Sequence, residues 1–249
     1  MLPAAVAGPV ESYVHELQRL APDQLEAVYI VGSPALADFS ARQSNIDLVV
    51  VSDRRPDREE QARLARAARG LRHAGRPAEI WYITWEDLDA RGPGSAPAGD
   101  GAGGPLATPM TRGILRHDPM ALLGPDWPVV GFDVDSLRAW AVAQLQALSA
   151  RAHGLLIMRH DVAPLVLEAA RLCQAAITGR ILSKSEAGEL AMPIVSSRHQ
   201  RILTDAVGYR HGAHFSMYWG PFERKYDALT LLRELVDAAT SAGSTRAAG

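Results

Sequence analysis

Val31-Gly32-Ser33-Pro34-Ala35-Leu36-Ala37-Asp38-Phe39, followed after a polar turn by Ser44-Asn45-Ile46-Asp47-Leu48-Val49-Val50-Val51, is the stretch that decides the fold. An apolar run from Ala27 to Val31 ends in Gly-Ser, and a short segment turns back. A second run then carries polar residues at alternate positions before it continues as a buried strand. In a strand from Asn45 to Val51, side-chain alternation places Asn45 and Asp47 on one side and Ile46 on the other. Two oxygen-bearing side chains on one side suit a hard cation such as magnesium. Gly32 permits close backbone approach, and Ser33 adds a hydroxyl beside backbone N–H groups, the setting in which a triphosphate binds.

The chain has 249 residues, of which 47% are hydrophobic, enough for one large or two modest domains with a true core. A net charge of −2 gives no general electrostatic case for nucleic acid, so small-molecule partners and no nucleic acid are expected. Cys173 is the single cysteine and cannot close an internal disulfide. Its neighbours Leu172, Ala175, Ala176 and Ile177 predict a buried, inert thiol. Pro3, Pro9 and Glu11 interrupt the apolar residues at the N-terminus, which has no basic leader-like region, and no apolar run approaches the ~20 residues of a membrane span. A cytoplasmic protein without membrane association is the expectation, and the pattern specifies no oligomeric state.

Outward from the opening stretch, Val10, Val14, Leu17 and Leu20 recur at helical spacing and predict a helix before the first strand. A second helix is expected over Asp57 to His73, with Leu64, Ala67, Ala68 and Leu71 inward and Arg63, Arg66, Arg69 and Arg72 on a solvated face beside Glu59 and Glu60. Ala78 to Thr84 reads as a third strand, with Glu79 near its start, and Thr84 with Asp87 resembles a capping box. From Arg91 to Pro109 the composition shifts to Gly, Pro, Ala and Ser, which predicts a flexible loop. Helical periodicity returns over Met110 to Arg116, and Met120 to Leu123 reads as a last short strand or apolar arm. Beyond Phe132 the patterns are helical throughout: Val134 to Ala150, Val162 to Ile177, Lys184 to Met192, Ser197 to Tyr209 and Tyr218 to Ala239. Ser183 and Glu186 read as a second capping box, with Lys184 in the first turn.

Gly32-Ser33 followed by Asn45-Ile46-Asp47 on the next strand resembles the signature of the polymerase-beta-like nucleotidyltransferases, Gly-Ser and then Asp-x-Asp, with Asn45 in place of the first carboxylate. Thr178-Gly179-Arg180-Ile181-Leu182-Ser183-Lys184-Ser185-Glu186, then Ala187-Gly188-Glu189-Leu190-Ala191-Met192 and His199-Gln200-Arg201-Ile202-Leu203, resemble the helical domain of the aminoglycoside 3''-adenylyltransferases, which inactivate streptomycin and spectinomycin. The resemblance covers nearly the whole chain. It implies an α+β protein: a nucleotidyltransferase domain with a small mixed sheet over residues 1–131, containing the 91–109 loop, and a helical bundle domain over 132–249, with a cleft between them.

In that family the first domain binds magnesium and the ATP phosphates, and an antibiotic hydroxyl attacks the α-phosphate with loss of pyrophosphate. Carried over residue by residue, the resemblance implies that Asp47 is a magnesium ligand and that Asn45 occupies the other ligand position. It implies that Glu79, the third acidic position, touches the metal site and is the catalytic base, and that Gly32, Ser33, Arg171 and Lys184 bind the nucleotide. Asp161 matches an acidic residue on the acceptor side. Plainer readings stand beside these: a strand-edge Glu79, an interdomain ion pair for Arg171, a solvated Lys184 and a helix-capping Asp161. Where streptomycin-modifying members carry a tryptophan and an aspartate upstream of Asp161, this chain has Ala152 and Ile157, which argues against streptomycin. The expected partners are ATP and a small hydroxyl-bearing acceptor. A nucleotide-binding relative with weakened chemistry is the alternative that Asn45 raises.

Overall fold

The computed structural model describes residues 2–73, 76–89, 108–152 and 158–247. Two compact units divide the chain, residues 1–133 and 134–249. In the first, α1 (Ala4–Leu20) precedes β1 (Leu25–Val31) and β2 (Asp47–Ser52). Then follow α2 (Arg58–Ala68), the short strands β3 (Arg72–His73) and β4 (Arg76–Pro77), β5 (Glu79–Ile83), α3 (Trp85–Asp89), α4 (Pro109–His117) and β6 (Met120–Leu123).

The main sheet has the order β5-β2-β1-β6, and β3 pairs with β4 apart from it. β1 runs antiparallel to both β2 and β6, whereas β2 and β5 are parallel. Parallel neighbours need a crossover, and α2 lies in the one between these two strands. Val28 stands opposite Val50, and Ile30 opposite Leu48. These four join a buried cluster with Val6, Val10, Tyr13, Val14 and Leu17 of α1. Tyr29 and Val49 alternate with them and are buried as well, so both faces of the central strands are covered. The Tyr13 and Tyr82 hydroxyls meet at 2.7 Å, which partners two polar atoms carried into that core.

Boundaries differ from the sequence reading at α2, β2 and the last helix. α1 begins at Ala4 and runs through Pro9, since a proline early in a helix forfeits one hydrogen bond while the following turns, with their buried valines, hold the element. α2 stops at Ala68 rather than His73, because Arg72–His73 turns into the β3–β4 pair. Its start is held by a full capping box in which Asp57 and Glu60 exchange bonds. β2 begins at Asp47, so Asn45 precedes the strand. Leu64 and Leu71 are buried, and Arg63, Arg66 and Arg69 are exposed. The loop expected over 91–109 lies outside the described residues as far as 107, while Thr108 caps α4 and Pro109 opens it.

The second unit contains α5 (Val134–Arg151), α6 (Arg159–Thr178), α7 (Lys184–Ala191), α8 (Ser197–Arg210) and α9 (Pro221–Ala247). α6 packs against all four others. Apolar residues therefore occupy most of its circumference, the pattern of a helix buried within a bundle. Cys173 lies inside, and burial pushes its thiol up to about 12, the inert state expected. Buried Asp227 ties α9 to α8, accepting from Tyr218 Oη at 2.8 Å, Arg201 at 3.0 Å and Arg198 at 3.2 Å. The last helix starts at Pro221 rather than Tyr218, proline being favoured at the first helical position.

Gly188 of α7 shows how tightly this bundle closes: a Cβ there would meet Leu167 Cδ2 at 2.7 Å and Val207 Cγ2 at 2.9 Å. Gly188→Val is expected to destabilise the protein by about 1–3 kcal/mol through overpacking. Urea unfolding followed by circular dichroism reads this as a lower midpoint, and an unchanged or higher midpoint would contradict the packing.

Candidate active site

β1 ends at Val31, and Gly32 takes φ 71°, in the left-handed region that glycine enters without a Cβ penalty. A Cβ at this position would stand 2.5 Å from Asp47 Oδ2. Glycine thus allows the Asp47 carboxylate to lie against the turn. The turn is closed by its own backbone, with the Leu36 N–H donating to Gly32 O at 3.2 Å and the Asp38 N–H to Ser33 O at 2.9 Å. Asp47 pairs with Val31 on one side and Glu79 on the other, so the ends of three strands set Gly32, Asp47 and Glu79 side by side. The Glu79 N–H donates to Ile46 O at 2.8 Å, and Asn45 Nδ2 donates to Glu79 Oε1 at 3.2 Å.

Of the expected site residues in this unit, Gly32, Asn45, Asp47 and Glu79 are brought together, with Ser33 next in the turn. Asn45 reaches Glu79 from the residues before β2, not from within the strand. Two carboxylates and an amide make an oxygen-donor set of the kind magnesium uses when phosphates and water complete its shell. The space against Gly32 that a Cβ would fill admits a carboxylate at close range. Among the described residues no three His, Cys, Asp or Glu side chains cluster as a metal centre.

In the helical unit, Arg171 and Lys184 converge on one partner. Arg171 Nη2 donates to both Glu168 oxygens at 2.8 Å, and Lys184 Nζ lies 3.2 Å from Glu168 Oε2. Arg171 and Glu168 sit one turn apart on α6, and Lys184 is the first residue of α7 behind the Ser183 cap, whose Oγ accepts from the Glu186 N–H at 3.1 Å. The ion pair of Arg171 is therefore made within this unit. Lys184 is half-buried rather than solvated, its side chain 29% exposed. Burial pushes the Glu168 carboxyl up, but the adjacent Arg171 and Lys184 charges outweigh it and lower it to about 2.

The sequence reading passed over Glu168. Its signal was there: between Val162 and Thr178 the only charged residues are Glu168 and Arg171, three apart on an otherwise apolar helix. Asp161 belongs to the exposed first turn of α6, 3.4 Å from His160 Nε2. It lies ten residues, roughly 15 Å of helix, from Arg171. Ala152 is buried, and Ile157 lies outside the described residues.

Residues 138–221 match the family model described as aminoglycoside adenylyltransferase, C-terminal domain. The chain resembles the aminoglycoside adenylyltransferases. That match falls on the helical unit, and a solved structure extends the likeness in fold. The spectinomycin adenyltransferase AAD(9) from Enterococcus faecialis, determined with ATP and spectinomycin, aligns over 92% of this chain and 99% of that one, with a TM-score of 0.66 and 14% identity. No curated protein sequence matches the chain. The mixed α+β architecture with a small four-stranded sheet and a helical C-terminal part is thus that of an adenylyltransferase fold. No helix among the described residues is long and apolar enough to cross a membrane.

Two consequences are measurable. Gly32→Ala forces an L-residue into the left-handed region and drives its methyl into Asp47, so the unfolding free energy should fall by about 1–3 kcal/mol. A urea midpoint equal to that of the wild type would mean that the Gly32–Asp47 approach is not tight. Glu168 has a depressed folded-state pKa, so its contribution is present above the ordinary value of 4.5 and is lost as pH falls toward about 2. Glu168→Gln should flatten stability against pH between those values, and an acid limb as steep as that of the wild type would contradict the ion triad.

Proposed function

We propose that the protein transfers AMP from ATP to a hydroxyl group of an aminoglycoside-like or other polyhydroxylated amine. The observation that carries this reading is the juxtaposition of Gly32, Asp47 and Glu79 at the ends of three strands, in a chain whose helical half matches the aminoglycoside adenylyltransferase family. Asp47, Asn45 and Glu79 would hold magnesium, which when bound neutralises charge on the phosphate oxygens. Gly32 and Ser33 offer backbone and hydroxyl groups to the triphosphate, while Arg171 and Lys184 bring positive charge to it. Glu79 is exposed and accepts the proton of the acceptor hydroxyl. The hydroxyl oxygen bonds to the α-phosphorus, the bond from that phosphorus to the bridging oxygen breaks, and pyrophosphate departs. Asp161 faces the acceptor in this reading, and Ala152 disfavours streptomycin as that acceptor. ATP as co-substrate is consistent with a cytoplasmic location.

A second reading, a nucleotide-binding relative with weakened chemistry, is favoured by Asn45. Its neutral amide supplies an oxygen ligand without the charge of a carboxylate, which lowers the attraction for a divalent cation. Asn45→Asp separates the two readings. In an active enzyme it should tighten magnesium binding while turnover is kept or raised, whereas a degenerate binder would gain metal affinity and still release no pyrophosphate.

The direct test is pyrophosphate release across the four nucleoside triphosphates and a panel of aminoglycosides, with magnesium present. Release should require ATP and one class of acceptor. Glu79→Gln keeps shape and removes the base, so turnover should fall roughly 10²- to 10⁴-fold with ATP affinity largely retained. A variant keeping more than about a third of wild-type turnover would exclude Glu79 as the base, and silence of the wild-type protein across the panel would remove support for the transferase reading.

A further inference from the structure

The most informative group that the proposed chemistry leaves without a task is Glu168. We propose that Glu168 is a positioning residue for nucleotide binding: its one carboxylate holds Arg171 of α6 and Lys184 of α7 as a fixed pair of cations that retains a net positive charge. This rests on the reading in which those two residues bind the ATP phosphates.

Three observations carry it. First, both cations use the same oxygen, Glu168 Oε2, at 2.8 Å from Arg171 Nη2 and 3.2 Å from Lys184 Nζ. Two like charges that close repel each other, and the attraction of a shared carboxylate for both offsets that repulsion while cancelling one charge of two. Second, Lys184 opens α7, the end where the backbone N–H dipoles carry positive character and disfavour a cation. A lysine there needs a local anion to stay ordered, and Glu168 comes from a different helix to supply it. Third, Arg171 spends only Nη2 on Glu168, so most of its five-donor fork is not used by that carboxylate. The Glu168, Arg171 and Lys184 side chains are 25%, 17% and 29% exposed, so the triad is shielded from full solvent screening yet open to an anionic ligand.

The consequence concerns affinity rather than chemistry. Without Glu168 the two long side chains sample many rotamers, and the fraction of molecules with both cations in place falls, which lowers apparent ATP affinity by that fraction. Replacement of the carboxylate also removes a competing negative charge, which acts in the opposite direction. Ordering outweighs the lost charge, because both cations are held by the same carboxylate oxygen.

The experiment is calorimetric titration of the full chain with ATP, alongside steady-state pyrophosphate release, for wild type, Glu168→Gln, Glu168→Asp, Arg171→Met/Lys184→Met and the triple variant. Glu168→Gln should weaken ATP binding about fivefold or more and raise the KM for ATP in parallel, with kcat within about twofold. Glu168→Asp, which keeps the charge, should recover part of the affinity. Adding Glu168→Gln to the Arg171→Met/Lys184→Met background should change nothing further, since the residue acts only through those two. Wild-type or tighter ATP binding by Glu168→Gln would overturn the proposal and make Glu168 a competitor of the phosphates. If Glu168→Gln does not fold, the decision falls to Glu168→Asp, which must bind ATP more weakly than wild type or the proposal fails. If Arg171→Met/Lys184→Met alone binds ATP as well as wild type, the phosphate reading itself falls and takes the proposal with it, an outcome distinct from failure at Glu168 alone.

Discussion

The approach of the Asp47 carboxylate to the backbone of Gly32 is the constraint on which the N-terminal unit's site depends. It requires a residue without a Cβ and with positive φ at the end of β1, and an acidic residue at the start of β2. Once these are met, strand pairing does the rest. The antiparallel register sets Val31 beside Asp47, and the parallel register sets Asp47 beside Glu79. The cost of presenting acidic groups together is carried by a sheet whose central strands are buried on both faces, an over-determined scaffold of the kind that tolerates strained or charged sites.

The helical unit handles charge differently. Its central helix is almost wholly apolar, and the charges it does carry are answered locally. Glu168 meets Arg171 and Lys184. Asp205 accepts from Arg159 at 3.2 Å and from the Met217 N–H at 2.8 Å, and Asp227 gathers Arg198, Arg201 and Tyr218. In the Asp205 and Asp227 clusters a buried carboxylate joins residues distant in sequence, the role best suited to groups that are costly to bury alone. Glu168 differs in that both of its partners are the cations proposed for phosphate binding.

Much of this architecture was legible in the sequence, and the reasons are physical. Alternation and β-branched runs marked β1, β2 and β5, and 3.6-residue periodicity marked the helices of the second half, because burial on one face imposes those periods, although α9 runs to Ala247, eight residues past the expected Ala239. Capping chemistry set the starts of α3 and α7 at Thr84 and Ser183. Errors arose where a local rule competed with packing. The inward Leu71 suggested helix where the chain had already turned toward β3. Asn45 was read as part of β2 and instead reaches Glu79 from outside it. The Glu168–Arg171 pair was legible as two charges three apart on an apolar helix, but the contact of Glu168 with Lys184 of α7, sixteen residues onward, was not, because pairings between helices leave no period in the sequence.

In the proposed function, the corner formed by Gly32, Asn45, Asp47 and Glu79 takes a metal-bound triphosphate. It is tested most directly by calorimetric titration of ATP into the wild-type protein and into a folded Asp47→Ala variant, each with and without millimolar magnesium. Magnesium should strengthen ATP binding to the wild type, and Asp47→Ala should lose this magnesium dependence. ATP binding that ignores magnesium, or that is the same in both proteins, would contradict it.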